Sequence, residues 1–139
     1  MPDPLPVVAR LRRLEVDAAQ RALAECLRDE AAAALTLRAL DTAITAETDA
    51  ATASEDDRAV EDFALWLHRT ERDRAAAEAV LARAETRSTE ARAVLSATRS
   101  AARAMDEILT VRAAERQAVA AGREQIALDE AGGRRNGRD

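Results

Sequence analysis

The sequence predicts an all-α protein: two long helices folded back as an antiparallel coiled-coil hairpin, with helix 2 longer than helix 1. Three observations predict it. From Val7 to Ala121 there is no glycine or proline, all three prolines lying before that stretch and all four glycines after it. Glycine costs about 1 kcal/mol and proline about 3 kcal/mol in a helix interior, and the alanine, leucine, arginine and glutamate found instead lose least on entering a helix. Apolar residues recur at alternating steps of three and four, the spacing of a coiled-coil seam. Finally, 36 alanines and only two aromatics, Phe63 and Trp66, leave 139 residues with little bulk for a compact core, so the chain should be elongated.

Helix 1 is expected over about residues 5–51, entered through Pro2, Asp3, Pro4 and Pro6, which suit the mouth of a helix. Its seam reads Val16, Ala19, Leu23, Cys26, Ala33, Leu37, Leu40 and Ile44, with Glu30 where an apolar residue was needed. The first turns fit a shifted register of Val7, Leu11, Leu14 and Ala18, so that the stripe is wide or stutters. After Ile44 the bulky residues stop, and a turn is expected at about 52–55. Ser54 reads as the N-cap of helix 2, with Asp57 as a capping-box partner and three carboxylates at the positive end of the helix dipole. Glu55, Asp56 and Asp57 could also be seen as metal ligands, but acids at a helix start are the commoner arrangement.

Helix 2, about 55–131, repeats as Val60, Phe63, Leu67, Thr70, Ala77, Leu81, Ala84, Ser88, Ala91, Leu95, Thr98, Ala102, Met105 and Leu109, broken badly only at Arg74. Past Leu109 the register gives Arg112 and Arg116, while apolar residues slip to Ile108, Val111, Ala118, Val119 and Ile126, as in a second stutter. Residues 132–139 read as a disordered basic tail, so that 1–131 form a single hairpin. Folding about the turn leaves the segment from about Asp106 to Glu130 without an intramolecular partner. Residues 1–57 hold 6 arginines against 12 acids and residues 58–103 hold 9 against 7, so the two helices are complementary in sign.

Charge and chemistry exclude several functions. The chain carries 21 basic residues, all arginine, against 26 acidic ones, a balance unsuited to nucleic acid. No run of about 18 apolar residues suggests a membrane span, and the N-terminus lacks the pattern of a signal peptide, so a cytoplasmic protein without direct membrane insertion is expected. The lone Cys26 and lone His68 provide neither an internal disulfide nor a zinc cluster. No catalytic residue, cofactor or metal is expected, because a narrow alanine-rich hairpin offers no pocket for an acid, a base and an orienting group.

Interaction is the remaining role, and two segments invite it. Around Phe63, Leu65, Trp66 and Leu67 the apolar side chains span more of the helix circumference than one partner helix covers, with Leu37, Leu40 and Ile44 expected across the hairpin. The unpartnered end of helix 2, with Ile108, Val111, Val119 and Ile126, is the second.

The layout resembles the FliJ family of flagellar type III export proteins. The resemblance rests on the start Leu11-Arg12-Arg13-Leu14-Glu15-Val16-Asp17-Ala18-Ala19, the short turn, the longer second helix, and the ending from Glu115-Arg116-Gln117 to Glu124-Gln125-Ile126-Ala127-Leu128-Asp129-Glu130. It implies a non-enzymatic stalk or adaptor, similar to the central stalk of rotary ATPases, that links the ring of the export ATPase to the export-gate platform. Export chaperones are a further class of partner, and the place is the cytoplasm, peripheral at the membrane-bound export apparatus. The family's platform-contacting strip, Phe-x-x-x-Leu-x-x-Ala-x-x-x-His, is matched by Phe63 and Leu67, whereas Thr70 and Arg74 depart from its last two positions. On this reading the gate contact comprises Phe63, Trp66, Leu67, Leu37, Leu40 and Ile44, and the ring contact Leu11, Leu14, Ile108, Val111, Val119 and Ile126. An injectisome stalk would share the architecture, and a homo-oligomeric coiled-coil scaffold is the alternative from another class.

Overall fold

The computed structural model describes residues 2–137 and contains two helices, α1 (Leu5–Ala53, 49 residues) and α2 (Asp57–Asn136, 80 residues), which pack antiparallel. There is no strand among the described residues. Each helix opens on an aspartate. Asp3 Oδ1 accepts the backbone N–H of Leu5 at 3.0 Å, and Pro4 and Pro6 occupy first-turn positions where a missing N–H loses no hydrogen bond. Asp56 Oδ1 likewise accepts the N–H of Arg58 at 3.0 Å, while the N–H of Asp56 donates to Ser54 Oγ at 3.2 Å. The cap of α2 is therefore Asp56 rather than Ser54. Ser54 stands two residues too early to reach the first free N–H groups and tightens the turn at residues 54–56 instead.

Helix α1 persists through the weak threonine-rich run before that turn. The hydroxyls of Thr42, Thr45, Thr48 and Thr52 each donate to the carbonyl four residues back, at 2.6–3.1 Å, so these side chains are satisfied without leaving the helix. At the other end α2 continues through the first two glycines of the expected tail to Asn136, since Gly132 and Gly133 adopt ordinary helical backbone. Arg138 and Asp139 lie outside the described residues.

The chain packs as two units, Asp17–Ser96 and a second that joins Met1–Val16 to Ala97–Asp139. In the first, the seam of α1 runs Ala19, Leu23, Cys26, Glu30, Ala33, Leu37, Leu40, Ile44, and that of α2 runs Phe63, Leu67, Thr70, Arg74, Ala77, Leu81, Ala84, Ser88, Ala91, Leu95, all buried or half-buried. The steps of three and four never break. Small residues set the tightest points, with Ala33, Ala84 and Ser88 buried and Ser88 fully so. Val60 is exposed and Ala59 turns inward, because four residues back from Phe63 lies nearer the seam direction than three back.

The two polar breaks are accommodated differently. Arg74 pairs with Asp41 on α1 and with Glu78 one turn on at 2.7 Å. The hydrogen bond and charge of Asp41, followed by the charge of Glu78, raise the Arg74 pKa above the ordinary arginine value. Glu30 keeps one carboxylate oxygen buried without a hydrogen-bond partner, as does the hydroxyl of Ser88.

In the second unit, Ala9 is buried and Leu5, Val8, Arg12 and Val16 are half-buried; α2 answers with Thr98, Ala101, Ala102, Met105, Leu109 and Ala113. Arg13 pairs with Asp106 at 3.3 Å and Arg112 with Asp3 at 3.8 Å, an antiparallel register. The shifted register expected for the first turns does not occur. Val7, Leu11, Leu14 and Ala18 are exposed, because Ala9, Arg12, Val16 and Ala19 carry the original phase without a stutter. The second stutter is absent too: Leu109 stays on the seam while Ile108 and Val111 remain outside it.

Candidate functional site

Two surfaces follow from this packing, one in each unit. At the turn, Phe63 and Trp66 stand one helical turn apart and stack, with ring centroids 6.0 Å apart and planes at 28°. They form one wall of an open groove of about 440 Å³, closed by Glu47, Ala50, Ala51 and Ser54 of α1 and the turn and by Ala59 and Asp62 of α2. Alanines opposite the rings leave this hollow: the aromatic side chains are half-buried because nothing large faces them. Leu67 is half-buried, while Leu65 is 64% exposed, as expected of four apolar residues spread too widely for one partner helix.

Two of the expected neighbours of this patch, Leu37 and Leu40, lie elsewhere. The Asp41–Arg74 pair fixes the level of α1 against α2. Leu37 and Leu40 therefore sit on the seam about four and about three turns from Phe63. Both are half-buried, as is Ile44, and they serve the hairpin's own seam. The residues that do face the rings, Ala50 and Ala51, gave no signal in the sequence because they are small.

The second surface is the far part of α2. The partnerless segment begins later than the expected Asp106, since Asp106 and Arg112 are both engaged by α1 and its lead-in and Ala113 is still half-buried. From Ala114 to Arg135 every side chain is exposed. The heptad nevertheless continues in phase from Leu109 as Arg112, Arg116, Val119, Arg123, Ile126 and Glu130. Val119 and Ile126 are 55% and 60% exposed. Arg112, Glu115, Arg116, Val119, Ala120 and Arg123 line a shallow open depression on this helix.

Of the other residues expected here, Leu11 and Leu14 lie on the side of α1 turned away from α2 and apart from Val119 and Ile126, whereas Ile108, 18 residues before Ile126, points to the same side of α2, with Val111 further round from the seam. Arg123 was missed, although its seven-residue spacing from Arg116 was visible. Among the described residues no group of three or more His, Cys, Asp or Glu side chains is placed to hold a metal, and no helix is long and apolar enough to cross a membrane. Glu55, Asp56 and Asp57 are exposed at the turn, where Asp56 is the helix cap.

No family model, curated protein or solved structure matches this chain.

Proposed function

We propose that the chain is a non-enzymatic stalk and adaptor of the flagellar type III protein export apparatus, linking the export ATPase ring to the export gate. One observation carries the reading. Helix α2 outruns α1 by more than twenty residues yet keeps the seam phase, holding Val119 and Ile126 exposed where a second helix would cover them. A helix of this kind supports work done by contact rather than by chemistry. The groove beside Phe63 and Trp66, with exposed Leu65, supports a second contact at the turn, so that one molecule has two binding ends.

The test is to mix the purified chain with the export ATPase of the same genome and read the mass of the complex by light scattering. Val119→Asp with Ile126→Asp should abolish the complex, and Phe63→Ala with Leu67→Ala should leave it intact while removing binding to the gate platform protein. An ATPase complex that survives the first pair would overturn the assignment of the ring contact. Exposed Leu65 favours a second reading, a homo-oligomeric scaffold in which a four-helix assembly covers that face. A purified chain whose mass is that of a dimer or tetramer would shift the reading to that scaffold.

A further inference from the structure

We infer that residues 113–130 of α2 seat an acidic amphipathic helix from another protein, which takes up the seam where α1 leaves off. This deepens the reading of α2 as a partner-binding segment by naming the partner's chemistry. Continuity is the first argument. Wound to the 3.5 residues per turn of a coiled coil, Arg112, Arg116, Val119, Arg123 and Ile126 fall within about 50° of arc that includes Leu109, which α1 already covers.

Charge is the second. Each seam arginine inside the hairpin has a carboxylate: Arg12 has Glu15 at 3.0 Å, Arg74 has Asp41 and Glu78, and Arg112 has Asp3 at 3.8 Å. Asp3 is the N-cap of α1, so the pairing stops where that helix stops. Among the described residues Arg116 and Arg123 pair with no carboxylate. A helix extending the place of α1 must bring acids to them. Because Arg116 and Arg123 are seven residues apart, as are Val119 and Ile126, the partner presents acids one heptad apart, alternating with apolar residues.

A second copy of this segment fits poorly. In parallel pairing Arg116 and Arg123 would face their own counterparts. In antiparallel pairing, setting Val119 against Ile126 brings the two copies of Arg123 within one residue of each other at the centre. Parallel pairing thus repeats like charges along the whole seam, and antiparallel pairing repeats them at its centre, offering acids only at its ends, where Arg116 would meet Asp129 and Glu130.

The test uses the full chain and a fluorescent three-heptad peptide whose seam alternates leucine and glutamate, with glutamine-for-glutamate and lysine-for-glutamate controls. Anisotropy should show the acidic peptide binding about ten-fold more tightly than the glutamine control, with the advantage shrinking as salt is raised. Arg116→Glu with Arg123→Glu should cancel that advantage and favour the lysine peptide, with helical circular dichroism unchanged because both sites are exposed. Equal binding of all three peptides, no binding, or an acid preference that survives the double charge swap would overturn the inference. So would a chain that dimerises and becomes monomeric on Ile126→Asp, since the occupant would then be a second copy. If the export ATPase fails to bind but the acidic peptide succeeds, the export reading falls and this one stands. An ATPase complex indifferent to the charge swap has the opposite meaning.

Discussion

The middle of the hairpin and the far part of α2 share one heptad and one phase, yet one is buried and the other is not. Around Ala84, Ser88 and Leu95 the seam is covered by α1. Around Arg116, Val119, Arg123 and Ile126 the same positions meet solvent. Periodicity thus states which face of a helix can be buried, whereas the reach of the opposing helix decides whether it is. The residue types record the difference. Within the hairpin, arginine enters the α2 seam only at Arg74 and at the margin, Arg112, each with a carboxylate to meet it; beyond the hairpin it takes two of the next four seam positions.

The largest effect that sharpens this contrast comes from shortening one leucine. Among the described residues Leu95 is the one large apolar side chain that is buried, so Leu95→Ala should cost about 2–3 kcal/mol in denaturant unfolding. Ile126→Ala, at an exposed position on the same helix, should stay within about 0.5 kcal/mol. Comparable losses would mean that the far segment is covered in solution. A smaller effect of opposite sign is expected at Ser88, whose hydroxyl is buried without a partner: Ser88→Ala should stabilise by about 1 kcal/mol, read as a raised midpoint at unchanged slope. Destabilisation there would show that the hydroxyl is satisfied, for instance by a buried water. The smallest effect belongs to the half-exposed pair of Asp41 and Arg74. Asp41→Asn should lower the melting temperature slightly at low salt and not at high salt, because an exposed pair is screened. The raised pKa of Arg74 adds no acid dependence: its contribution is fully present below the ordinary arginine pKa and is lost only as pH rises through the elevated value.

Much of this was legible in the sequence because helix was specified three times over, by propensity, by the missing glycines and by the repeat. The seams from Val16 to Ile44 and from Phe63 to Leu109 follow from spacing alone, and even Glu30 and Arg74 keep their places on them. The misreadings share one cause. Val7, Leu11, Leu14, Ile108 and Val111 are bulky apolar residues near seam positions held by alanine or arginine, Ala9, Arg12 and Arg112, so apolar bulk suggested a change of phase, while the packing kept Ala9, Arg12 and Leu109 inside. In a seam built of alanine, phase is a better guide than bulk. The cap at Asp56 was hidden because three consecutive acids compete for it and only backbone geometry chooses among them. The groove at the turn was half-visible, its aromatic wall being conspicuous and its alanine wall silent.

The stacked pair at the turn has an optical consequence. Trp66 is the chain's only tryptophan and there is no tyrosine, so near-ultraviolet emission comes from a single indole, held against Phe63 beside the groove. Its colour and quenching report that neighbourhood alone. A ligand entering the groove should shift the spectrum, whereas one lying along Val119 and Ile126 should leave it unmoved, and the unlabelled protein therefore tells an observer where it has been touched.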